Sequence, residues 1–148
     1  PVPVTGQTFA ILMAGMLLGR RRGTLTVLAY LLEGAAGLGV FAMGRGGIGV
    51  FFGPTGGYLL GFLGAAYVTG LLAENGADKK VWSTLVAMLA GTAVIYAAGV
   101  SWLSVLFGFE TALNVGLYPF FAGMTAKILL AGGLLPAGWK LVEKFKLK

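Results

Sequence analysis

Residues 53–58, Gly-Pro-Thr-Gly-Gly-Tyr, combine the residue types that can hold a small polar or anionic ligand. Glycines at a helix start leave backbone N–H groups unpaired and unshielded, and such donors suit a carbonyl or carboxylate oxygen. Thr55 and Tyr58 add hydroxyl groups. Glycine serves a tight turn with close packing equally well, so the residues alone leave open whether Gly53, Gly56 and Gly57 contact a ligand or only pack.

Lys127 and Glu33 are charged residues deep within apolar segments. Lys127 lies about nine residues into its segment, hence ~13 Å along a helix. A charge at that depth is costly and usually faces a cavity or a partner. The distance is long for snorkelling to the interface, which is the alternative, so a functional role is favoured. The residues alone leave open whether Glu33 pairs with Lys127.

Catalytic and metal chemistry find little support in the sequence. The sequence has no cysteine, so a thiolate metal site is excluded. It has no histidine either, which is the commonest general base and the commonest metal ligand in proteins. One of Ser83, Ser101 and Ser104 could serve as a nucleophile with Lys127 as its base, but no second acid or base supports such a pair. We therefore expect no enzyme, no metal and no cofactor.

The composition indicates a membrane protein. The 148 residues are 57% hydrophobic and 11% charged, with a mean hydropathy of +0.88. A soluble domain carries about 25% charged residues. Although the net charge is +6, the basic residues cluster at the ends of apolar runs and are not interleaved with stacking aromatics. This pattern excludes nucleic acid as the partner and favours membrane lipid.

Five apolar segments predict an all-α, polytopic membrane bundle with residues 1–148 as one domain. The segments comprise residues 7–19, 23–41, 57–73, 81–107 and 119 to about 139. A short amphipathic stretch precedes the last segment, which Pro119 is suited to open and Pro136 to bend or end. Small residues every four positions predict close helix packing, namely Gly57, Gly61, Ala65 and Thr69.

The loop charges predict one orientation in the cell membrane. With residues 20–22 in the cytoplasm, strict alternation places Lys79, Lys80 and the C-terminal lysines there too. Three irregular segments then share the outer face, namely residues 1–8, 44–55 and 110–119. Their convergence predicts the mouth of a ligand site.

Four sequence motifs, taken in order, resemble BioY, the biotin-binding S component of energy-coupling factor (ECF) transporters. They are PVPVTGQTF from Pro1, YLLEGAAGLGVF from Tyr30, GPTGGYLLGF from Gly53 and YPFFAGMTAK from Tyr118. The resemblance spans nearly the whole chain. It implies a six-helix fold of which about five transmembrane helices are present, so the chain is expected to lack the first.

The resemblance also implies a function and a set of partners. An S component of this kind captures biotin at the outer face of the bacterial inner membrane, and a transmembrane T subunit and ATPase subunits drive its uptake. Together with the residues identified above, the motifs give the candidate substrate-binding residues: Thr5, Gln7, Tyr30, Glu33, Gly53, Thr55, Gly56, Gly57, Tyr58 and Lys127.

Two positions depart from the family pattern. Gly39 stands where the family usually has proline, and Met124 stands where it has an aspartate that helps to hold the vitamin, while Lys127 is kept. A thioether is a weak acceptor for the ureido N–H groups of biotin. An unpaired buried N–H costs ~1–3 kcal/mol, so the alternative function is a structural or differently specific membrane protein that has lost biotin binding.

Overall fold

A computed structural model describes residues 6–146 of the chain. Within that range the structure is helical and contains no strand. Its α-helices are α1 (Gln7–Ala35), α2 (Gly56–Glu74), α3 (Val81–Phe107), α4 (Phe109–Gly116) and α5 (Phe121–Lys146). Short 3₁₀ turns occur at Ala42–Gly44, Ile48–Phe52, Ala77–Lys79 and Tyr118–Phe120. The predicted all-α class is confirmed.

Helix α1 is a hairpin of two limbs, residues 7–18 and 20–35, that reverses at Gly19. Gly19 has φ +82°, a conformation that only glycine adopts without strain. In a continuous helix, residues 15 and 23 would be ~12 Å apart along the axis. A Cβ on Gly23 would instead lie 2.8 Å from the Cα of Gly15, so the limbs pack against each other. The first two predicted segments are these limbs.

The second limb ends earlier than the sequence predicts, at Ala35 and not at Phe41. Residues 36–41 leave the helix axis, and the ring of Phe41 folds back over Gly34 where a side chain would otherwise stand. Phe41 is 4% exposed. The sequence assigned residues 36–41 to the helix because they are apolar, but residues 36–40 are exposed and only Phe41 is buried, by folding back on the helix.

Glycines and alanines let α1, α2 and α3 approach closely. A Cβ on Gly61 would lie 3.1 Å from the Cα of Ile95 on α3, and one on Gly15 would overlap Thr69 and Ala66 of α2. Ala65 and Thr69 are fully buried at this contact. The stripe of small residues in α2 therefore packs helices together, as predicted, because close approach supplies the van der Waals contact that lipid cannot favour.

The third and fourth predicted segments match the structure closely, whereas the fifth helix continues about seven residues beyond its predicted end. α2 and α3 begin and end within about one residue of the prediction. Pro119 lies in the turn before α5, and α5 continues through Pro136 to Lys146, so that proline does not end the helix. By length and composition, the described residues contain three stretches able to cross a membrane: Gly56–Glu74, Val81–Phe107 and Phe109–Lys144.

The two ends of the bundle differ in chemistry. Contacts at one end join the Gly19 turn to Glu74 of α2, and Lys79 to Trp139 of α5. We call this the basic end; its cations are Arg20, Arg21, Arg22, Lys79, Lys80, Lys140 and Lys144. At the opposite end, the N-terminus of α1, the loop of residues 36–55 and the first turns of α2 and α5 surround a cavity.

Candidate functional site

A cavity opens at the end of the bundle opposite the basic end. Its atom-free space is about 610 Å³ with the open mouth included. The first limb of α1, the loop of residues 36–55, α2, α3 and α5 all contribute to it. The lining comprises Gln7, Thr8, Phe41, Ala42, Arg45, Val50, Thr55, Tyr58, Leu59, Phe62, Tyr96, Phe120 and Lys127.

Lys127 brings a cation to the wall of the cavity from the second turn of α5. Its Nζ donates a hydrogen bond of 2.9 Å to the Thr8 hydroxyl, which joins α5 to the first limb of α1. The side chain is half-buried. The lysine therefore points into the protein, and the snorkelling alternative does not describe its position. Arg45 adds a second cation at the exposed mouth.

Aromatic rings form the inner part of the cavity. Tyr58 and Tyr96 meet edge to face with ring centroids 5.9 Å apart, and Tyr96 and Phe120 are 6.0 Å apart. The Tyr58 hydroxyl donates a 2.6 Å hydrogen bond to the carbonyl of Gly116 in α4. The Tyr58 hydroxyl is therefore bonded to α4, and the Tyr58 ring is the part that faces the cavity. Such a wall suits an apolar ring system.

The glycines at the start of α2 serve close packing. A Cβ on Gly56 would overlap the carbonyl of Phe51, and one on Gly57 would overlap the Cβ of Trp102. The carbonyl of Gly53 accepts the N–H of Gly56 at 3.1 Å and the indole N–H of Trp102 at 2.8 Å. These contacts support the packing interpretation for Gly56 and Gly57, whereas Gly53 takes part through its carbonyl. Thr55, between them, lines the cavity.

Tyr30 lies behind the cavity and supports it. Its hydroxyl accepts a 2.8 Å hydrogen bond from Nε2 of Gln7 and donates one of 3.0 Å to the carbonyl of Val40. Its ring meets Phe41 edge to face at 5.5 Å. Tyr30 thus contacts a wall residue on the first limb and the loop of residues 36–55 at once.

The structure brings together some of the residues proposed from the sequence. Gln7, Thr55, Tyr58 and Lys127 line the cavity. Tyr30, Gly53, Gly56 and Gly57 stand directly behind it. Thr5 lies outside the described residues. In the predicted outer segment of residues 110–119, the carbonyl of Gly116 accepts the hydrogen bond of Tyr58, but no side chain of the segment lines the cavity.

Glu33 is not where the sequence suggested. The second limb ends two residues later, at Ala35, so Glu33 stands near a helix end with an exposed side chain and does not line the cavity. Among the residues that the structure describes, no ion pair joins Glu33 to Lys127, and the salt bridge present is between Arg20 and Glu74. Glu33 is therefore not placed to replace the family aspartate.

Several lining residues escaped the sequence analysis. Phe41, Phe62, Tyr96 and Phe120 read as ordinary core aromatics, and Thr8 as a helix-start residue. Arg45 carried a usable signal, because it is the cation in a glycine-rich loop between two segments predicted to converge. An arginine there has no membrane-anchoring role and is available to a ligand.

A serine nucleophile beside Lys127 finds no geometric support. The hydroxyl of Ser83 donates to the carbonyl of Ala77 at 2.8 Å, and that of Ser104 donates to the carbonyl of Val100 at 2.7 Å. Neither these two serines nor Ser101 lines the cavity. The arrangement instead suits reversible binding of an amphipathic anion, with its apolar part against the rings and its carboxylate beside the cations.

Comparison with known proteins identifies similar chains. A "Biotin transporter BioY" from Rhizobium etli is 40% identical over 139 residues, which cover 88% of this chain and 74% of the relative. A "Biotin transporter BioY" from Thermotoga maritima is 46% identical over 121 residues, covering 81% of this chain and 70% of that one.

A solved structure has the same architecture. The crystal structure of the S-component for biotin from an ECF-type ABC transporter matches with a TM-score of 0.83 and 32% identity. The match covers 95% of this chain and 77% of that one. The model of the BioY family also matches residues 1–144. The chain belongs to the BioY family.

Proposed function

We propose that this chain binds biotin at the outer face of the cell membrane, as the S component of an ECF-type importer. One observation carries the proposal: a chain of the BioY family encloses an aromatic cavity that has Lys127 in its wall. Relatives that are 40% and 46% identical are named as biotin transporters. Because the family consists of transporter components, the protein is not an enzyme.

The cavity chemistry fits the two halves of biotin. The bicyclic ring packs against Tyr96, Phe120 and Phe62, where burying apolar surface gives ~25 cal/mol per Å². The carboxylate pairs with Lys127, with Arg45 at the mouth as a second cation. A carboxylate entering a dry site needs such a counter-charge, because an unpaired buried ion is strongly disfavoured. Gln7 and Thr55 supply neutral hydrogen-bonding groups for the ureido ring.

Energy for uptake comes from partner subunits in this proposal. The sequence has no GxxxxGK[ST] motif, so the chain does not hold ATP in a phosphate loop of that kind. A transmembrane T subunit and ATPase subunits supply that step. The chain then needs only to capture biotin and to present it.

The orientation that we propose places the basic end in the cytoplasm and the cavity mouth outside. Lys79, Lys80 and residues 20–22 would then follow the positive-inside rule. The protein crosses the bacterial inner membrane several times in this arrangement, and biotin reaches the cavity directly from the outer side.

Calorimetric titration in detergent tests the proposal. Biotin is expected to bind and to release heat, whereas biotin amide, which lacks the carboxylate charge, is expected to bind at least tenfold more weakly. Equal affinity for both ligands would contradict the role of the cations. No heat from biotin at high micromolar concentration would overturn the proposed function.

The alternative, a member that has lost biotin binding, rests on Met124. This residue is half-buried, packs against the core and does not line the cavity, so it supplies neither an acceptor nor a steric block there. The variant Met124→Asp distinguishes the two functions. An affinity that appears only in the variant would favour the alternative, and measurable binding by the unchanged chain would exclude it.

A further inference from the structure

The loop of residues 36–55 covers one side of the cavity and contributes five of its lining residues. They are Phe41, Ala42, Arg45, Val50 and Thr55. The loop has no regular secondary structure beyond two 3₁₀ turns, at Ala42–Gly44 and Ile48–Phe52. Its position over the cavity must therefore be held by specific contacts to its neighbours.

Those contacts come largely from the second limb of α1. The N–H of Gly47 donates a 2.6 Å hydrogen bond to the carbonyl of Gly34. The ring of Phe41 packs over Gly34 and meets Tyr30 on one side and Phe51 on the other, at 5.5 and 5.6 Å. The loop and the second limb thus pack as one unit on this side of the cavity.

Tyr30 is the residue that joins this unit to the first limb. Its hydroxyl accepts from Gln7 Nε2 and donates to the carbonyl of Val40, so one oxygen connects two walls of the cavity. Val40 immediately precedes Phe41. Any movement that opens the loop away from the first limb must lengthen one of these two bonds.

We propose that the Tyr30 hydroxyl is a latch that keeps the loop of residues 36–55 closed over bound biotin and fixes the orientation of Gln7. The role of the latch in biotin release rests on the proposed function. Tyr30 is a positioning residue, because its side chain does not line the cavity and acts through Gln7 and Val40. The resemblance to BioY suggested Tyr30 as a ligand contact; the geometry assigns it to retention instead.

The latch predicts a kinetic signature. Tyr30→Phe keeps the ring that packs on Phe41 and removes both hydrogen bonds. Because opening must lengthen at least one of these bonds, and one such bond changes an equilibrium by roughly threefold to tenfold, the dissociation rate of biotin should rise by about threefold to tenfold. The association rate should rise as well, because the same hydrogen bonds hold the loop closed before biotin enters, so the equilibrium affinity should change less than either rate constant.

Stopped-flow measurement of both rate constants in detergent tests this signature. Tyr67→Phe is the matched control, because Tyr67 is 47% exposed on α2 and makes no contact with the cavity. Faster dissociation in Tyr30→Phe alone, at an unchanged melting temperature, is expected. Equal dissociation rates in all three proteins, or the same acceleration in Tyr67→Phe, would overturn the latch.

A second measurement needs no biotin, so it separates the latch from the proposed function. The chain has no cysteine, and Ala42→Cys places a single thiol on the loop where it faces the cavity. A thiol reagent should label that variant several-fold faster when Tyr30→Phe is added, and equally fast when Tyr67→Phe is added. Identical labelling rates in the three proteins would show that the hydroxyl does not hold the loop closed.

Discussion

The chain reverses direction at the two ends of the second limb of α1 in contrasting ways. At the basic end, Gly19 alone makes the turn, and Glu74 of α2 accepts the N–H of Arg20 at 3.0 Å. At the cavity end, residues 36–55 make the turn in two 3₁₀ segments with a few long-range ties. The contrast separates two tasks: the short turn fixes the helices, and the long loop encloses space for a ligand.

The two turns should therefore fail differently when they are altered. Changes at the Gly19 turn should lower stability with little direct effect on biotin. Changes at the cavity end should lower affinity with little effect on folding. Four substitutions test this contrast, from the largest expected effect to the smallest.

Gly70→Ala should have the largest effect. A Cβ on this buried residue of α2 would lie 2.5 Å from the carbonyl carbon of Gly19 and 2.6 Å from the Cα of Arg20, and backbone cannot move aside as a side chain can. Overpacking of this kind costs ~1–3 kcal/mol or more. The melting temperature and the monodisperse yield in detergent should both fall.

Gly133→Ala is the matched control for that change. A Cβ there would meet nothing within 4 Å, and alanine is the better helix former. Its melting temperature should stay the same or rise slightly. A stable Gly70→Ala protein would show that the Gly19 turn tolerates more movement than its packing implies.

Lys127→Met should weaken biotin binding at least tenfold while leaving the fold intact. The methionine keeps the length of the side chain but removes the counter-charge of the carboxylate, which a dry site requires. Calorimetry gives the affinity, and Lys140→Met at the basic end serves as control. Unchanged affinity would show that Lys127 does not bind the carboxylate and that its hydrogen bond to Thr8 is only structural.

Gly34→Ala should weaken biotin binding about threefold to tenfold, through Phe41. The new Cβ would occupy the place of the Phe41 ring, so that the ring must leave its position at the cavity wall. The melting temperature should change much less than in Gly70→Ala, because a side-chain ring and not backbone has to move. Wild-type affinity in this variant would mean that Phe41 does not shape the site.

Glu74→Gln should have the smallest effect. The amide still accepts the N–H of Arg20, and only the salt bridge to its guanidinium is lost, with N–O 3.4 Å and both side chains over 40% exposed. Exposed pairs contribute ~1 kcal/mol or less, and salt screens them. The melting temperature should fall slightly at low salt and match the wild type at high salt, with biotin affinity unchanged.

The sequence predicts the helices well because each apolar run ends at residues with a clear physical effect. The arginines at residues 20–22 directly follow the Gly19 turn that ends the first limb, the polar turn of residues 75–80 ends α2, and Pro119 precedes α5. Lys127 was identifiable because a charge among apolar residues is costly unless it faces a partner. The membrane class followed from composition alone.

The remaining parts of the site depend on contacts between distant residues. Glu33 looked deep because residues 36–41 are apolar, and hydropathy does not reveal that the helix ends at Ala35 and that Phe41 folds back on Gly34. Tyr96 reads as a core aromatic from sequence, since only the packing of α2, α3 and α5 decides which rings face a cavity. The glycines at residues 53–57 needed the position of Trp102 before their role could be assigned.

The shortness of the first limb has a consequence for the surrounding bilayer. Twelve helical residues extend ~18 Å, whereas the hydrocarbon layer is ~30 Å thick and the 27 residues of α3 extend ~40 Å. Lipid beside the arginine turn must therefore compress, or water must enter to reach the guanidinium groups. Reconstitution into lipids of increasing acyl length should accordingly strain α1 before any other helix. The stability of the protein should therefore depend on membrane thickness.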